Sequence, residues 1–427
     1  MSGKETSYSG ARELYAGVGV DTEAAIDSVL RCPLSLHCWQ GDDVGGFETA
    51  GAGLSGGGIK VTGSHPGRAR NPKELREDLT KAFSLIPGAH RLNLHAMYGE
   101  FEKRTDRDAI EERHFEGWIA YARQQCMGLD FNATLFSHPL AADGFTLSHR
   151  DPSAREFWIE HVKRTRRIGA RMGRELGTAC IHNTWIPDGS KDLPADRSGF
   201  RGRLAESLDA ALREEFPETE LRDAVEGKLF GIGSESFVVG SHEFYTGYAI
   251  TRGILITLDM GHFHPTESVG DKISALLPFV KGLLIHVSRG VRWDSDHVAI
   301  LNDELRDLFR EAVRSQKDGD GRLPIPGKIS FGLDFFDATI NRVGAWAIGG
   351  RAARKALLLA LLEPREKLLE ADAAGDGFTR LALMERELAM PWHAVWEQCC
   401  TRAGVPVDSA LVGEVHRYER DVLSRRP

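Results

Sequence analysis

The sequence predicts an α/β fold, a (β/α)8 barrel of the TIM type with an additional C-terminal helical extension. Three observations carry this. Eight short apolar runs recur between residues 33 and 334, each separated from the next by sequence with helical spacing, which is the signature of a parallel sheet. About 320 residues for eight such units lies within the usual range of a closed barrel. The first run leads directly into Gly41-Asp42-Asp43-Val44-Gly45-Gly46, not into the Gly-x-Gly-x-x-Gly expected of an open doubly wound sheet, the alternative architecture.

Taken in order, residues 1–13 read as a frayed start. Residues 16–30 form a weakly amphipathic helix with Asp21-Thr22-Glu23 at its acidic N-terminus. The first strand run is 33–40. Residues 45–68 are glycine-rich and irregular, and a long loop directly after a strand reads as an active-site lid. Within it, Gly56-Gly57-Gly58-Ile59-Lys60 lacks the spacing and the Ser/Thr of a phosphate-binding loop. Asn71-Pro72 opens a helix to about residue 85, followed by a strand at 91–96. Residues 106–125 are helical, then comes a strand at 128–132. Asp151-Pro152 opens a long helix closed by Gly177, before a strand at 179–185. Helices at 201–215, 241–252, 268–280 and 302–315 alternate with strands beginning at 223, 253, 282 and 328.

The domain reading is a barrel over 1–337, with a metal site at the carboxyl ends of its strands, and a helical extension over 338–427. The extension completes the last barrel helix and, by its length, suits contacts to a neighbouring subunit in a closed symmetric oligomer. A composition of 41% hydrophobic and 27% charged residues fits an ordinary globular protein, and a net charge of −8 argues against a nucleic-acid partner. No apolar run approaches the roughly 20 residues that span a bilayer, so no membrane partner is expected. The first residues lack a secretory apolar core, and the six cysteines are scattered without a Cys-x-x-Cys pair. These features point to unreactive thiols in a reducing, cytoplasmic setting.

The chemistry gathers at the strand ends. Each predicted carboxyl end carries a polar group: His37, Trp39 and Asp42/Asp43; His95; Asn132; Asn183, Trp185 and Asp188; Glu226 and Lys228; Asp259 and His262; His286, Asp294 and Asp296; and Asp334. In this architecture the active site lies at that face. So many uncompensated buried carboxylates are prohibitive, whereas a divalent cation neutralises them. Carboxylates mixed with imidazole and no thiolate suit Mn²⁺, Mg²⁺ or Co²⁺ better than structural zinc. There are enough groups for two ions. Glu226, Asp259, His286 and Asp334 suffice to enclose one; His262, Asp294 and Asp296, with Asp259 available for sharing, suffice for a second. His264 and His297 are rival imidazoles next to this set. Lys228 shares a face with Glu226 and supplies a fixed positive charge to a substrate oxygen.

These residues carry a resemblance. The run His37-Cys38-Trp39-Gln40-Gly41-Asp42-Asp43-Val44-Gly45-Gly46-Phe47-Glu48 resembles the L-rhamnose isomerases. So do Asp143-Gly144-Phe145-Thr146-Leu147-Ser148-His149, Trp185-Ile186-Pro187-Asp188-Gly189, Gly261-His262-Phe263-His264-Pro265-Thr266-Glu267 and Val291-Arg292-Trp293-Asp294-Ser295-Asp296-His297. The similarity runs from about Tyr15 to about Tyr418. Its one visible departure is residues 315–327, which read as a surface insertion. The resemblance implies an aldose–ketose isomerase interconverting L-rhamnose and L-rhamnulose. It also implies one or two Mn²⁺ per subunit (with Co²⁺, Mg²⁺ or Zn²⁺ as substitutes), a homotetramer, and a place in cytoplasmic rhamnose catabolism. The metal layout is similar to that of xylose isomerases, with Glu-x-Lys on Glu226/Lys228, acid-x-x-His on Asp259/His262, Asp-x-Asp on Asp294/Asp296 and a final Asp on Asp334. In the family's terms His262, Asp294 and Asp296 hold the catalytic ion, and Glu226, Asp259, His286 and Asp334 the structural one.

The mechanism expected from this set opens the pyranose with a hydrogen bond from His95 to the ring oxygen. A water held by Asp334 removes the O2 proton. Lys228 and the cations polarise the C1 carbonyl, so that hydride moves from C2 to C1. Trp39 and Trp185 wall the reacting carbons from solvent. The rival route is a proton shuttle through an enediol. Isomerisation of a related aldose is an alternative reading. A phosphoesterase on the same barrel would want more Arg or Lys than Lys228 alone, and a sugar-binding protein without catalysis would not need so many charged ligands.

Overall fold

A computed structural model describes residues 7–48, 62–228, 236–291, 296–315 and 327–426. Eight parallel strands close on themselves: β1 (Leu34–His37), β2 (His90–His95), β3 (Gly128–Asn132), β4 (Cys180–Trp185), β5 (Leu221–Glu226), β6 (Leu255–Asp259), β7 (Leu283–Val287) and β8 (Ile329–Leu333). Each pairs with its neighbour in sequence, and β1 closes the ring by pairing with both β2 (Leu36 with Leu92) and β8 (Leu36 with Leu333). A Gly-x-Gly-x-x-Gly string does occur, at Gly51-Ala52-Gly53-Leu54-Ser55-Gly56, outside the described residues. It does not directly follow a strand, and the closed ring excludes the doubly wound alternative.

Strand alternation with period two decides which side chains fill the barrel. Ile181, Ala224, Leu255 and Leu284 form their own small buried cluster, separate from the main core between sheet and helices. Two residues further along each of these strands the sequence turns polar, to Asn183, Glu226, Thr257 and His286, all buried. A polar layer therefore sits directly above an apolar floor. Gly332 on β8 lies beside this layer: a Cβ there would sit at ordinary contact distance, 3.4 Å from His286 Cδ2 and 3.7 Å from His37 Nε2.

The helices are α1 (Tyr8–Ala16), α2 (Thr22–Arg31), α3 (Pro72–Phe83), α4 (Glu116–Gln124), α5 (Pro152–Leu176), α6 (Arg197–Ala211), α7 (His242–Arg252), α8 (Val269–Leu276) and α9 (Asp303–Arg314). Five more follow: α10 (Arg342–Leu361), α11 (Arg365–Ala373), α12 (Gly377–Ala389), α13 (Trp392–Arg402) and α14 (Asp408–Asp421). The Asn71 and Asp151 side chains cap α3 and α5, each with proline in the first turn, and Gly177 ends α5 at φ 66°.

Several elements differ from the sequence expectation. Residues 8–16 are helical, not frayed, because Ser7 caps them and Ala11 and Tyr15 are buried where α1 meets α13. The strand expected over 33–40 stops at His37, and Cys38–Gly41 turn into a 3₁₀ helix. The long helix expected over 106–125 is two 3₁₀ turns followed by α4. Arg107 explains the break. It is buried, bonding the carbonyls of Thr134 and Phe136 and the Glu48 carboxylate, and a continuous helix would carry it away from them. An antiparallel pair, Gly189–Ser190 with Phe237–Val238, was not anticipated. Most of the glycine-rich segment 45–68, at residues 49–61, and most of the insertion over 315–327, at residues 316–326, lie outside the described residues.

Beyond the barrel strands, α10 packs on α9, α3 and α2, and its Trp346 Nε1 donates to the His37 carbonyl at 2.9 Å. α12 buries one residue, Glu387, whose carboxylate faces Arg310 of α9 at 3.7 Å. Burial, with the nearby Glu363 carboxylate, pushes the Glu387 carboxyl up to about 6. Its unfolded value is about 4.3, so the folded state holds the proton more tightly. That contribution to stability is complete below about pH 4 and is lost as pH rises through about 6, amounting to about 2 kcal/mol. Glu387→Gln removes the titration. Relative to the parent, the variant is expected to gain about 2 kcal/mol in guanidinium unfolding between pH 4 and pH 8; a difference flat with pH contradicts it.

Candidate metal centre

The ends of β5, β6, β7 and β8 converge on one point. One ligand-capable atom from each of Glu226, Asp259, His286 and Asp334 lies within 4.8 Å of the others, and all four residues are buried. His286 Nδ1 is the hub, 2.9 Å from Asp334 Oδ2, 3.5 Å from Asp259 Oδ2 and 3.6 Å from Glu226 Oε2. A second set, Asp259, His262 and Asp296, meets the same criterion and shares Asp259 with the first. There His262 Nε2 lies 3.7 Å from Asp296 Oδ2, while Nδ1 lies 3.2 Å from Glu226 Oε1. Asp259 and His262 bracket the 3₁₀ turn Met260–His262, which swings His262 off the strand end while leaving Asp259 in the barrel.

The surroundings tether one side of each ligand and leave the other bare. Asp259 Oδ1 accepts from the Gly261 backbone N–H at 2.7 Å and from Ser288 Oγ at 2.9 Å. Glu226 Oε2 accepts from Asn183 Nδ2 at 2.6 Å, and Asn183 Oδ1 in turn accepts from Thr257 Oγ1. By contrast Asp259 Oδ2, Asp296 Oδ1 and both ring nitrogens of His286 are buried with no hydrogen-bond partner among the described residues. Buried polar atoms are nearly always satisfied. A crowd of bare carboxylate oxygens and imidazole nitrogens is what a divalent cation satisfies, and the donor set fits Mn²⁺, Mg²⁺ or Co²⁺ chemistry.

Electrostatics give the same answer. Burial would favour neutral imidazoles, yet Asp259 and Asp296 outweigh it at His262, and Glu226 and Asp334 at His286, holding both well above the ordinary histidine value. Burial, reinforced by Asp296 and Asp334, pushes Asp259 up to about 7. Asp334 stays well below the carboxylate range because His37 and His286 overcome its burial. Raised imidazoles beside a raised carboxyl mark an excess of buried negative charge, which a divalent cation neutralises.

The remaining expected site residues surround this cluster. Lys228 is buried, its Nζ 5.0 Å from the Trp185 ring centroid. Trp39 stacks on His95 with centroids 4.3 Å apart, and Trp185 stacks on His262 at 6.4 Å. The indole Nε1 atoms of Trp39 and Trp185 and both His95 nitrogens are buried without a partner among the described residues, a set of polar atoms available to a polyhydroxylated ligand. Burial, with His37 nearby, lowers His95 to about 3, so its ring is neutral. Asp294 lies outside the described residues, with Arg292, Trp293 and Ser295. His264 and His297 belong to neither metal-binding set.

Some strand-end polar residues serve the scaffold. Asp188 accepts the backbone and hydroxyl donors of both Thr146 and Ser148, tying down the loop after Trp185. Asp42 accepts from Tyr98 Oη and Gly46 N, and Asp43 is held by Arg342. Sequence reasoning missed Ser288, and it assigned no role to His37, whose Nδ1 lies 3.0 Å from Asp334 Oδ1. His37, His286 and Asp334 form a third set within 4.8 Å. The alternation in β1 was the available signal, since it places His37 inside the barrel.

Comparison with known proteins agrees with the geometry. The family model described as L-rhamnose isomerase matches residues 3–426. An L-rhamnose isomerase of Rhodopirellula baltica is 54% identical over 422 residues, covering 99% of this chain and 97% of that protein. Those of Mannheimia succiniciproducens and Pectobacterium atrosepticum are each 52% identical, covering 100% of this chain and 100% of the relative, and 99% and 98%, respectively. With the whole barrel and both metal-binding sets inside the matched region, the chain belongs to the L-rhamnose isomerase family.

Proposed function

We propose that this protein is a metal-dependent aldose–ketose isomerase interconverting L-rhamnose and L-rhamnulose. The observation that carries the reading is the convergence of Glu226, Asp259, His286 and Asp334 from four successive strand ends, in a chain of this family. These four hold one ion; His262 and Asp296, together with Asp294, hold the other. Mn²⁺ is the proposed metal, with Co²⁺, Mg²⁺ or Zn²⁺ as substitutes. When bound, the cations supply Lewis-acid polarisation of the sugar oxygens.

The chain's own residues do the rest. His95, neutral and stacked on Trp39, offers an N–H to the ring oxygen as the pyranose opens. Asp334, ionised, takes the O2 proton through a water. Lys228 places its ammonium where negative charge develops on O1. Trp39 and Trp185 exclude water from C1 and C2, which favours direct transfer of hydride from C2 to C1. Incubation with L-rhamnose and Mn²⁺ in tritiated water tests the reading. Ketose is expected with Mn²⁺, falling to background after EDTA and returning on Mn²⁺ addition, with no tritium at C1. Ketose insensitive to chelation would end the metal reading, and tritium at C1 would replace hydride transfer by the enediol route.

We further propose that the protein works in the cytoplasm as a homotetramer. No helix among the described residues is long and apolar enough to cross a membrane. The exposed Phe378, Leu381 and Leu388 of α12, in the 338–427 extension, suit contacts between subunits.

A further inference from the structure

We infer that His37 is a positioning residue for the metal centre, and that a hydrogen-bonded chain from Asn132 through Asn93 decides which of its ring nitrogens carries the proton. This rests on the metal-binding reading proposed above. Asn132 Nδ2 donates to the Leu94 carbonyl at 3.0 Å. A carbonyl only accepts, so the amide orientation of Asn132 is fixed. The other N–H of the same amide donates to Asn93 Oδ1, which fixes Asn93 in turn and turns its Nδ2 toward His37 Nε2, 2.5 Å away. His37 Nε2 must therefore accept, and the ring proton sits on Nδ1. That nitrogen lies 3.0 Å from Asp334 Oδ1. All the side chains of this relay are buried: Asn132, Asn93, His37 and Asp334.

The consequence is an oriented carboxylate. His37 Nδ1 faces Oδ1 of Asp334 at 3.0 Å and leaves Oδ2, 2.9 Å from His286 Nδ1, facing the cluster. Groups that hold a metal ligand from behind fix its orientation and raise its basicity, and losing one typically costs ten- to a hundredfold in affinity. The relay runs across β1, β2 and β3, the half of the barrel that supplies no ligand to the four-residue set. It links those strands to the metal centre.

Two substitutions separate the Nδ1 proton from the bulk of the ring. In His37→Asn the amide nitrogen occupies the place of Nδ1 and faces Asp334; in His37→Gln it reaches the place of Nε2 instead. His37→Ala removes both. Chelator-stripped protein is titrated with Mn²⁺ by calorimetry, with thermal unfolding of the metal-free forms as the folding control. His37→Asn is expected to bind within about threefold of the parent, whereas His37→Gln and His37→Ala weaken by roughly ten- to a hundredfold. Parent-like affinity in His37→Gln or His37→Ala overturns the inference, as does a loss in His37→Asn as large as that in His37→Gln. A parent protein that binds no Mn²⁺ refutes the metal reading itself, a separate result.

Discussion

Asp334→Asn is expected to lower kcat/KM by about a thousandfold or more and to weaken divalent-ion binding in the same protein. The carboxylate has two duties. Its Oδ2 faces His286 within the four-residue metal-binding set, and its Oδ1 faces His37. Asparagine keeps the volume but removes the charge, so the cation loses one of its three carboxylates in that set. In the proposed mechanism the proton acceptor for O2 is lost as well, and removing a positioned acid or base alone costs about 10²- to 10⁴-fold. Calorimetric titration with Mn²⁺ and steady-state kinetics at saturating Mn²⁺ separate the two losses. Turnover near the parent level once the metal is restored would show that Asp334 only holds the ion.

Lys228→Met should give the complementary pattern. The residue is buried with its Nζ over the Trp185 ring, and it belongs to none of the metal-binding sets. Methionine keeps most of the apolar stem and removes the charge. A fixed charge aimed at a developing oxyanion is worth about 10²- to 10³-fold in rate. The expected result is a kcat lower by that factor, with Mn²⁺ affinity unchanged and KM shifted far less than kcat. A kcat within about threefold of the parent would remove Lys228 from the mechanism. A matching fall in Mn²⁺ affinity would make its role structural.

The two substitutions test parts of the site that differ in how legible they were. Glu226, Asp259, His286 and Asp334 were assigned together because each follows an apolar run, and in a closed parallel barrel every such position faces the same end. His262 was readable for the same reason, three residues after Asp259 at a strand exit. Asp294 and Asp296 share a face on extended chain; Asp296 joins His262 and Asp259, and Asp294 lies outside the described residues. Asp188, Asp42 and Asp43 satisfied the same rule equally well, yet each is consumed by local donors. Position at a strand end does not distinguish a carboxylate bonded by the surrounding scaffold from one left bare.

The expected helix over 106–125 failed for a related reason. Its residues have adequate helical spacing, but Arg107 is needed at the carbonyls of Thr134 and Phe136, and the chain breaks into 3₁₀ turns to deliver it. The 8–16 helix was missed because its stability comes from burial against α13, nearly 400 residues away in the chain. Both are cases in which tertiary partners override local preference.

By itself, the sequence determined the architecture and the chemical character of the site. Period-two apolar runs alternating with helical segments admit few folds, and acids and imidazoles at the strand exits admit few chemistries. Only the tertiary structure decided which atoms of those residues are bare and which are bonded. It showed Asp259 shared between two metal-binding sets, His286 at the hub, and His37 behind Asp334. The physical reason is that a hydrogen bond depends on side-chain direction to within a few tenths of an ångström. Strand register places a residue on the correct face and end of the barrel, but the partner that takes each lone pair comes from a neighbouring strand.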